Sequence, residues 1–340
     1  MKVVPWTRGS SLLRGRVPVR IAQRRDGRHA VAWAVPSRPL LETPMYDWAA
    51  GGHDVRWTDI DVLVAYGERF DWEKLRGCVF HVSRCGSTAI ANAFRAVDQM
   101  LVISEARTLT SILLPSRYGG IRASPELKTV LAGGFMAAAL KECSATSVVL
   151  KFPSFLSVDI ARTMALLPPV RWCFSSRSPA EVIRSLERSP GGWLGDAPRR
   201  AKARLMLGLP PSDPEPKLES ARNLYAYLLE RCFAAALDAL DDRTICLDYA
   251  EFGAATVEAV VRFVLGRDLD EPTRDQIKHS LGLYSKSLTQ RPFVPDQPLG
   301  DQPTGFPSLD RIFLRYRAGA KRFGARSAAD GIVNVFDGSL

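Results

Sequence analysis

Apolar and polar positions alternate in blocks along most of this chain, and the period changes where secondary structure should change. From residue 77 the pattern becomes regular. Gly77–Ser83 (GCVFHVS) is a short apolar run fit for a buried strand. A Gly-Ser-Thr turn follows, then a segment with Ile90, Phe94 and Val97 on one helical face. Leu101–Ser104 predicts a second strand, Glu126–Glu142 a helix, Ser147–Lys151 a strand and Phe155–Leu167 another helix. Val170–Ser176 predicts a strand and Pro179–Arg188 a helix. There Ser178, Pro179 and Glu181 offer a cap, a first-turn proline and an S-x-x-E box. A long helix is expected over Ser220–Leu240, then a short strand at Thr244–Leu247 and a helix near Val257–Leu265.

Strands alternating with helices call for a parallel sheet covered on both faces. In such sheets ligands gather at the carboxyl ends of the strands. Residues 1–70 read differently: they are Arg-rich and interrupted by proline and Gly-Gly. Short apolar stretches at Ala30–Val35 and Ile60–Tyr66 suit strands or a small subdomain. The expected division is an N-terminal extension or subdomain over 1–70, an α/β domain over 71–325 and a tail over 326–340. Tyr284–Pro307, rich in Pro, Asp and Gln, reads as a long loop or lid.

Charge narrows the ligand class. Among 340 residues, 46 Lys and Arg face 36 Asp and Glu, a formal charge of +10. That excess suits a polyanion but does not choose among nucleotide, nucleic acid, anionic lipid and sulfated polymer. The six cysteines form no C-x-x-C and no regular framework, which fits a reduced, cytoplasmic protein with structural thiols. No apolar run approaches the ~20 residues of a membrane span. The basic start lacks the apolar segment of a signal peptide, so the expected location is the cytoplasm.

The strongest chemical signal is FHVSRCGSTAI, residues 80 to 90. An apolar strand runs into Ser83, Arg84, Cys85, Gly86, Ser87 and Thr88 and then a helix. Such a junction is an anion cradle: glycine permits the tight turn, amides converge, and the helix N-terminus adds positive potential. Ser87 and Thr88 add hydroxyls, and Arg84 a planar cationic fork. A nucleoside-triphosphate loop would need Gly-Lys-Ser/Thr, which the chain lacks. Cys78 and Arg84 show the C-x5-R spacing of cysteine phosphatases, but the intervening residues are strand-like. Cys85, near a helix start, lacks an obvious base partner and is not expected to be a nucleophile.

Ser83–Thr88 resembles the 5′-phosphosulfate loop of sulfotransferases that use 3′-phosphoadenosine-5′-phosphosulfate (PAPS). The likeness covers about residues 77 to 190 and, more weakly, reaches about 300. It is nearest to bacterial sulfotransferases reading S-R-x-G-S-T and to the tyrosylprotein sulfotransferases. The resemblance implies a P-loop three-layer sandwich with a central parallel sheet and helices on both faces. It also implies PAPS as co-substrate. Arg177, at the end of VRWCFSS, and Ser185 eight positions later match the family's 3′-phosphate anchor. Tyr284 and Lys286 fall where C-terminal loops of the family fold over the nucleotide, although the usual Arg-Lys-Gly triplet is absent.

Sulfuryl transfer relies on in-line positioning and electrostatics, as phosphoryl transfer does. The four histidines and the cysteines share no ligand spacing, so no metal is expected. An acceptor hydroxyl or amine still needs a base. No histidine occurs between 82 and 278, and His81 reads as a packed strand residue. Glu105, ending LVIS, is the candidate base, and a Glu follows the loop similarly in the tyrosylprotein enzymes. Lys151, in VVLKFPSF, resembles the Lys of their K-x-P segment and would, with Arg84, steady charge on the transferring group. Three readings stand: a sulfotransferase, a divergent P-loop kinase with Asp248 on Mg²⁺, and a non-catalytic anion- or nucleic-acid-binding module. For the first, the expected partner is a small-molecule, carbohydrate or peptide acceptor rather than nucleic acid.

Overall fold

In the computed structural model of the chain the described residues are 13–50, 54–116, 119–189, 201, 204, 220–283, 285, 292 and 302–325. The periodic part of the sequence forms a five-stranded parallel sheet. In chain order its strands are β4 (Leu75–His81), β5 (Met100–Ser104), β6 (Ser147–Lys151), β7 (Trp172–Ser176) and β8 (Thr244–Asp248), if the three strands of the N-terminal region are counted first. In space they run β5-β6-β4-β7-β8. Every pair is parallel, with Cys78 opposite Leu150 on one side and Trp172 on the other. β4 is therefore central, and its side chains are buried except Arg76, as a strand covered on both faces requires.

The connections leave β4 toward β5 on one side, while β7 leads to β8 on the other. The crevice between β4 and β7, at their carboxyl ends, is the topological switch point where open α/β sheets bind ligands. One face of the sheet is covered by α3 (Ser87–Arg95), α9 (Ala254–Leu265) and α10 (Glu271–Leu281), with Ile90, Phe94, Val260 and Ile277 in one apolar cluster. The other is covered by α5 (Pro125–Lys141), α6 (Ile160–Met164), α7 (Pro179–Arg188), α8 (Ala221–Ala239) and α11 (Pro307–Ala320). On that face Phe174 and Phe233 both pack against the ring of Tyr316. The result is the three-layer α/β sandwich expected from the alternation.

The N-terminal region folds as β1 (Val17–Gln23), β2 (His29–Ala34) and β3 (Val55–Asp59), an antiparallel sheet in chain order, with α1 (Tyr46–Ala49) and α2 (Asp61–Gly67). The strand expected at Ala30–Val35 is present. Ile60–Tyr66, also read as a strand, is instead the helix α2. Val62 and Leu63 bury one face of it, and helical spacing satisfies that face as readily as alternation does. α2 and α5 approach backbone to backbone. A Cβ on Gly134 would fall 2.0 Å from the Leu63 carbonyl oxygen, and one on Gly67 1.8 Å from that of Val130. Trp33, Tyr46 and Leu63 belong to the same apolar cluster as Phe80 and Phe174 of the parallel sheet.

Two local expectations fail. Ser178 makes no capping hydrogen bond, and Glu181 turns its carboxylate to Arg177. The helix expected over Phe155–Leu167 divides into a 3-10 turn, Ser154–Asp159, and the short α6. α4 (Arg107–Leu113), α10 and α11 were not read from the pattern.

Candidate active site

The loop after β4 is contorted. Ser83 and Arg84 hold positive φ of 73° and 52°, and Gly86 follows at 77°. Successive residues of this kind turn their amides toward one side and form an anion-binding concavity. Among the described residues the amides of Arg84, Gly86 and Thr88 donate to no protein acceptor. Gly86 is required twice over, because its φ is left-handed and a Cβ there would meet the Phe252 ring at 2.7 Å. It caps α3, whose first turn carries the half-exposed loop into buried Ser87 and Thr88.

The loop is braced from β6. After Lys151 and Phe152, Pro153 starts the 3-10 turn, and Ser154 Oγ sits 3.2 Å from Ser83 Oγ. Ser157 Oγ accepts from the His81 amide at 3.1 Å and donates to the His81 carbonyl at 3.0 Å. Ser154 and Ser157 were missed in the sequence. Their S-x-x-S spacing just after K-x-P is the signal that would have found them.

At the neighbouring strand ends lies a charged cluster. Lys151, fully buried at its side chain, donates to Glu105 Oε1. Glu105 itself has φ of 52°, a left-handed conformation outside a turn, and its amide donates to the Lys151 carbonyl at 2.8 Å. His81 Nε2 lies 3.5 Å from the same Oε1. Burial works to raise the Glu105 pKa, but the Lys151 charge and the His81 ring outweigh it and hold the carboxyl below its ordinary range. Arg107, two residues further on, pairs with Asp47 at 3.0 Å. Glu105 and Lys151, 46 positions apart in the chain, are thus brought together as the sequence could not show.

On the other side of β4, Arg177 is buried. Its Nε donates to Glu181 at 2.9 Å, its Nη1 to the Arg84 carbonyl at 3.0 Å, and its guanidinium lies 4.3 Å from the centre of the Tyr249 ring. Arg84 reaches past it to donate to the carbonyl of Ser189 at the end of α7. Ser185 is half-buried on α7, one turn before that carbonyl. Tyr284 and Lys286 lie outside the described residues; next to them, the Ser285 carbonyl accepts from Asn92 of α3 at 2.9 Å.

Two further expectations are settled by position. Cys85 does have a basic neighbour, since His81 and the Ser175 hydroxyl lie against its thiol. Burial raises the thiol pKa, and these contacts, with the Ser87 amide, bring it net below the ordinary value. The thiol is buried all the same, as are four of the other five cysteines. Asp248 accepts from the Ala250 amide at 3.0 Å and stands 4.0 Å from Arg317, a strand-end cap rather than an open carboxylate.

Fold and site together define an α/β protein with a contorted loop, several of its amides without a protein acceptor among the described residues, at the switch point of a parallel sheet. No family model matches the chain, and no curated protein sequence matches it. Among solved structures it is similar to the sulfotransferase STF9 from Mycobacterium avium, at 14% identity and a TM-score of 0.46, over 76% of this chain and 81% of that one. It is also similar to the sulfotransferase domain of the Synechococcus PCC 7002 olefin synthase, at 14% identity and a TM-score of 0.40, over 74% of this chain and 98% of that one. Both are sulfotransferases, the class named by the resemblance in the sequence. No helix among the described residues is long and apolar enough to cross a membrane.

Proposed function

We propose that the chain is a sulfotransferase that moves a sulfonate group from PAPS to a hydroxyl or amine of an acceptor. The observation that carries this reading is that the amides of Arg84, Gly86 and Thr88 have no acceptor among the described residues, in the loop next to a Glu105 paired to buried Lys151. A cradle for the 5′-phosphosulfate and a base-and-cation pair then meet at one strand end. Ser83, Arg84, Cys85, Gly86, Ser87 and Thr88 hold the 5′ end, through amides, hydroxyls and the Arg84 guanidinium. Glu105 takes the proton from the acceptor as its oxygen or nitrogen attacks sulfur. Lys151 and Arg84 offset the charge that grows on the leaving 5′-phosphate oxygen. Cationic side chains suffice because a transferring sulfonate carries less negative charge than a phosphoryl group.

Glu105 paired to Lys151 is a weak base. The reading therefore needs Lys151 to turn from the carboxylate to the anionic donor, which frees Glu105 when the substrate is in place. Ser185 is assigned to the 3′-phosphate. Arg177, which the resemblance puts on the same phosphate, donates to Glu181 through Nε and to the Arg84 carbonyl through Nη1. We assign it instead to holding the loop, through the Arg84 carbonyl. Tyr284 and Lys286 are proposed to close over the nucleotide. The acceptor class is a small molecule, a carbohydrate or a peptide, and the proposed location is the cytoplasm.

Against the kinase reading stand the missing Gly-Lys-Ser/Thr and an Asp248 that caps the turn after β8 through the Ala250 amide. Thermal melts separate the two. 3′-Phosphoadenosine-5′-phosphate should raise the melting temperature while ATP with Mg²⁺ does not; the reverse preference overturns the proposal. Transfer of labelled sulfonate from PAPS into a metabolite extract, read by mass spectrometry, then identifies the acceptor.

A further inference from the structure

We infer that His81 is a positioning residue for Glu105: the Ser83 amide fixes its ring so that Nε2–H faces the carboxylate. The inference rests on the proposed role of Glu105 but concerns a feature visible without any substrate. His81 ends β4 and is 4% exposed. Its Nδ1 accepts the Ser83 amide at 3.0 Å. With that lone pair taken, a neutral ring carries its proton on Nε2. Nε2 is buried, makes no hydrogen bond among the described residues, and lies 3.5 Å from Glu105 Oε1, just beyond bonding distance.

The reason for the gap is on the other side of the same oxygen. Lys151 donates to Oε1, so two donors compete for one acceptor and the ammonium holds it. Once Lys151 turns to the donor's anionic oxygens, a small rotation of Glu105 closes the gap onto Nε2–H. The carboxylate then keeps a partner and an orientation, and its second oxygen faces the acceptor. In the transfer the acceptor O–H proton passes to Glu105, the new S–O bond forms, and the bond from sulfur to the 5′-phosphate oxygen breaks. His81 takes no proton. To accept one at Nε2 it would have to carry its own at Nδ1, which would set donor against donor at the Ser83 amide.

This linkage joins the anion loop to the base through one ring. Ser83 is held at positive φ, its amide is fixed by Nδ1, and Ser157 clamps both backbone groups of His81. The charged groups around Glu105 are Lys151 from β6, His81 from β4 and Asp47 from α1, with Arg107 of α4 bound to Asp47. Cys85 lies against the His81 ring.

The first test is the tautomer. Proton–nitrogen correlation spectra of the histidine rings in the full-length chain at neutral pH should show His81 protonated at Nε2 and bare at Nδ1. An Nδ1–H ring overturns the inference. The second test follows the labelled Glu105 carboxyl through a pH titration in a Lys151→Met background, which imitates the state after the ammonium has left. There His81→Phe should raise the Glu105 midpoint by about one unit, a tenfold change in its ionisation constant, through loss of the donor. His81→Gln, whose amide reaches the Nε2 position, should recover most of that shift. His81→Asn, which reaches only the Nδ1 position, should not. Equal midpoints in the Gln and Asn variants would show that the ring merely packs, and this pair suffices if the Phe variant does not fold. Neither test contains PAPS. A failure here leaves the sulfotransferase reading standing, and failure of the nucleotide melts leaves this one standing.

Discussion

On one side of the central strand Glu105 meets Lys151; on the other Arg177 meets Glu181. Both pairs sit at strand ends beside the same loop, and both join a cation to a carboxylate. They differ in access. Glu105 is 26% exposed at its side chain, although Lys151 behind it is sealed, so an anion can arrive from the open side and draw the ammonium away. Arg177 and Glu181 are 5% and 10% exposed, and the guanidinium is also pinned by the Arg84 carbonyl and stacked on Tyr249. A planar guanidinium with several partners at once is a brace, whereas an ammonium with one partner can change it. On the proposed reading the same chemistry serves reaction in one place and shape in the other. The surrounding contacts decide which.

Substitutions can break that contrast. The largest effect is expected from Glu105→Gln, which should lower turnover about 10²–10⁴-fold by removing the base. Binding of 3′-phosphoadenosine-5′-phosphate, followed by calorimetry, should stay unchanged. Retained turnover would remove the base from Glu105 and leave the fold untouched. Arg177→Ala should instead cost stability, about 3–5 kcal/mol, because Glu181 is left as a buried charge without its partner. Urea melts measure this. If Arg177 braces rather than binds, affinities for 3′-phosphoadenosine-5′-phosphate and for adenosine monophosphate should fall together. Selective loss of the doubly phosphorylated nucleotide would put Arg177 on the 3′-phosphate after all.

Arg84→Ala should weaken 3′-phosphoadenosine-5′-phosphate by about 1.5–3 kcal/mol, the usual size of a hydrogen bond to a charged group, with little change in the melting point of the free protein. The smallest effect is in acid. Glu105 has a folded pKa below its ordinary value of 4.5, so its pair contributes stability above that value and loses it as pH falls toward the lowered one. Urea melts between about pH 5 and pH 2 should therefore show a steeper loss in the wild type than in Glu105→Gln. Identical slopes would mean that the pair does not stabilise the fold.

Much of the scaffold was legible because its strands are short apolar runs and its helices carry one apolar stripe. The strand expected at Gly77–Ser83, found two residues earlier at Leu75–His81, and the helix after its glycine turn follow from neighbours in sequence, as local structure does. α2 was misread because a seven-residue apolar stretch satisfies both periods, and only packing against α5 at the Gly67–Gly134 crossing selects the helix. The capping box expected at Ser178 failed for a local reason, since Glu181 pairs with Arg177 four positions before it.

The sequence by itself determined the alternation of elements, the loop chemistry around Arg84 and Gly86, and the strand-end positions of Glu105, Lys151 and Arg177. It did not determine which of these touch. That Lys151 holds Glu105, that His81 turns toward the same oxygen, and that Arg177 meets the Arg84 carbonyl and the Tyr249 ring were decided by the order of the strands. Parallel β5, β6 and β4 set their ends side by side, and contacts between residues far apart in the chain leave no periodic trace for a sequence pattern to carry.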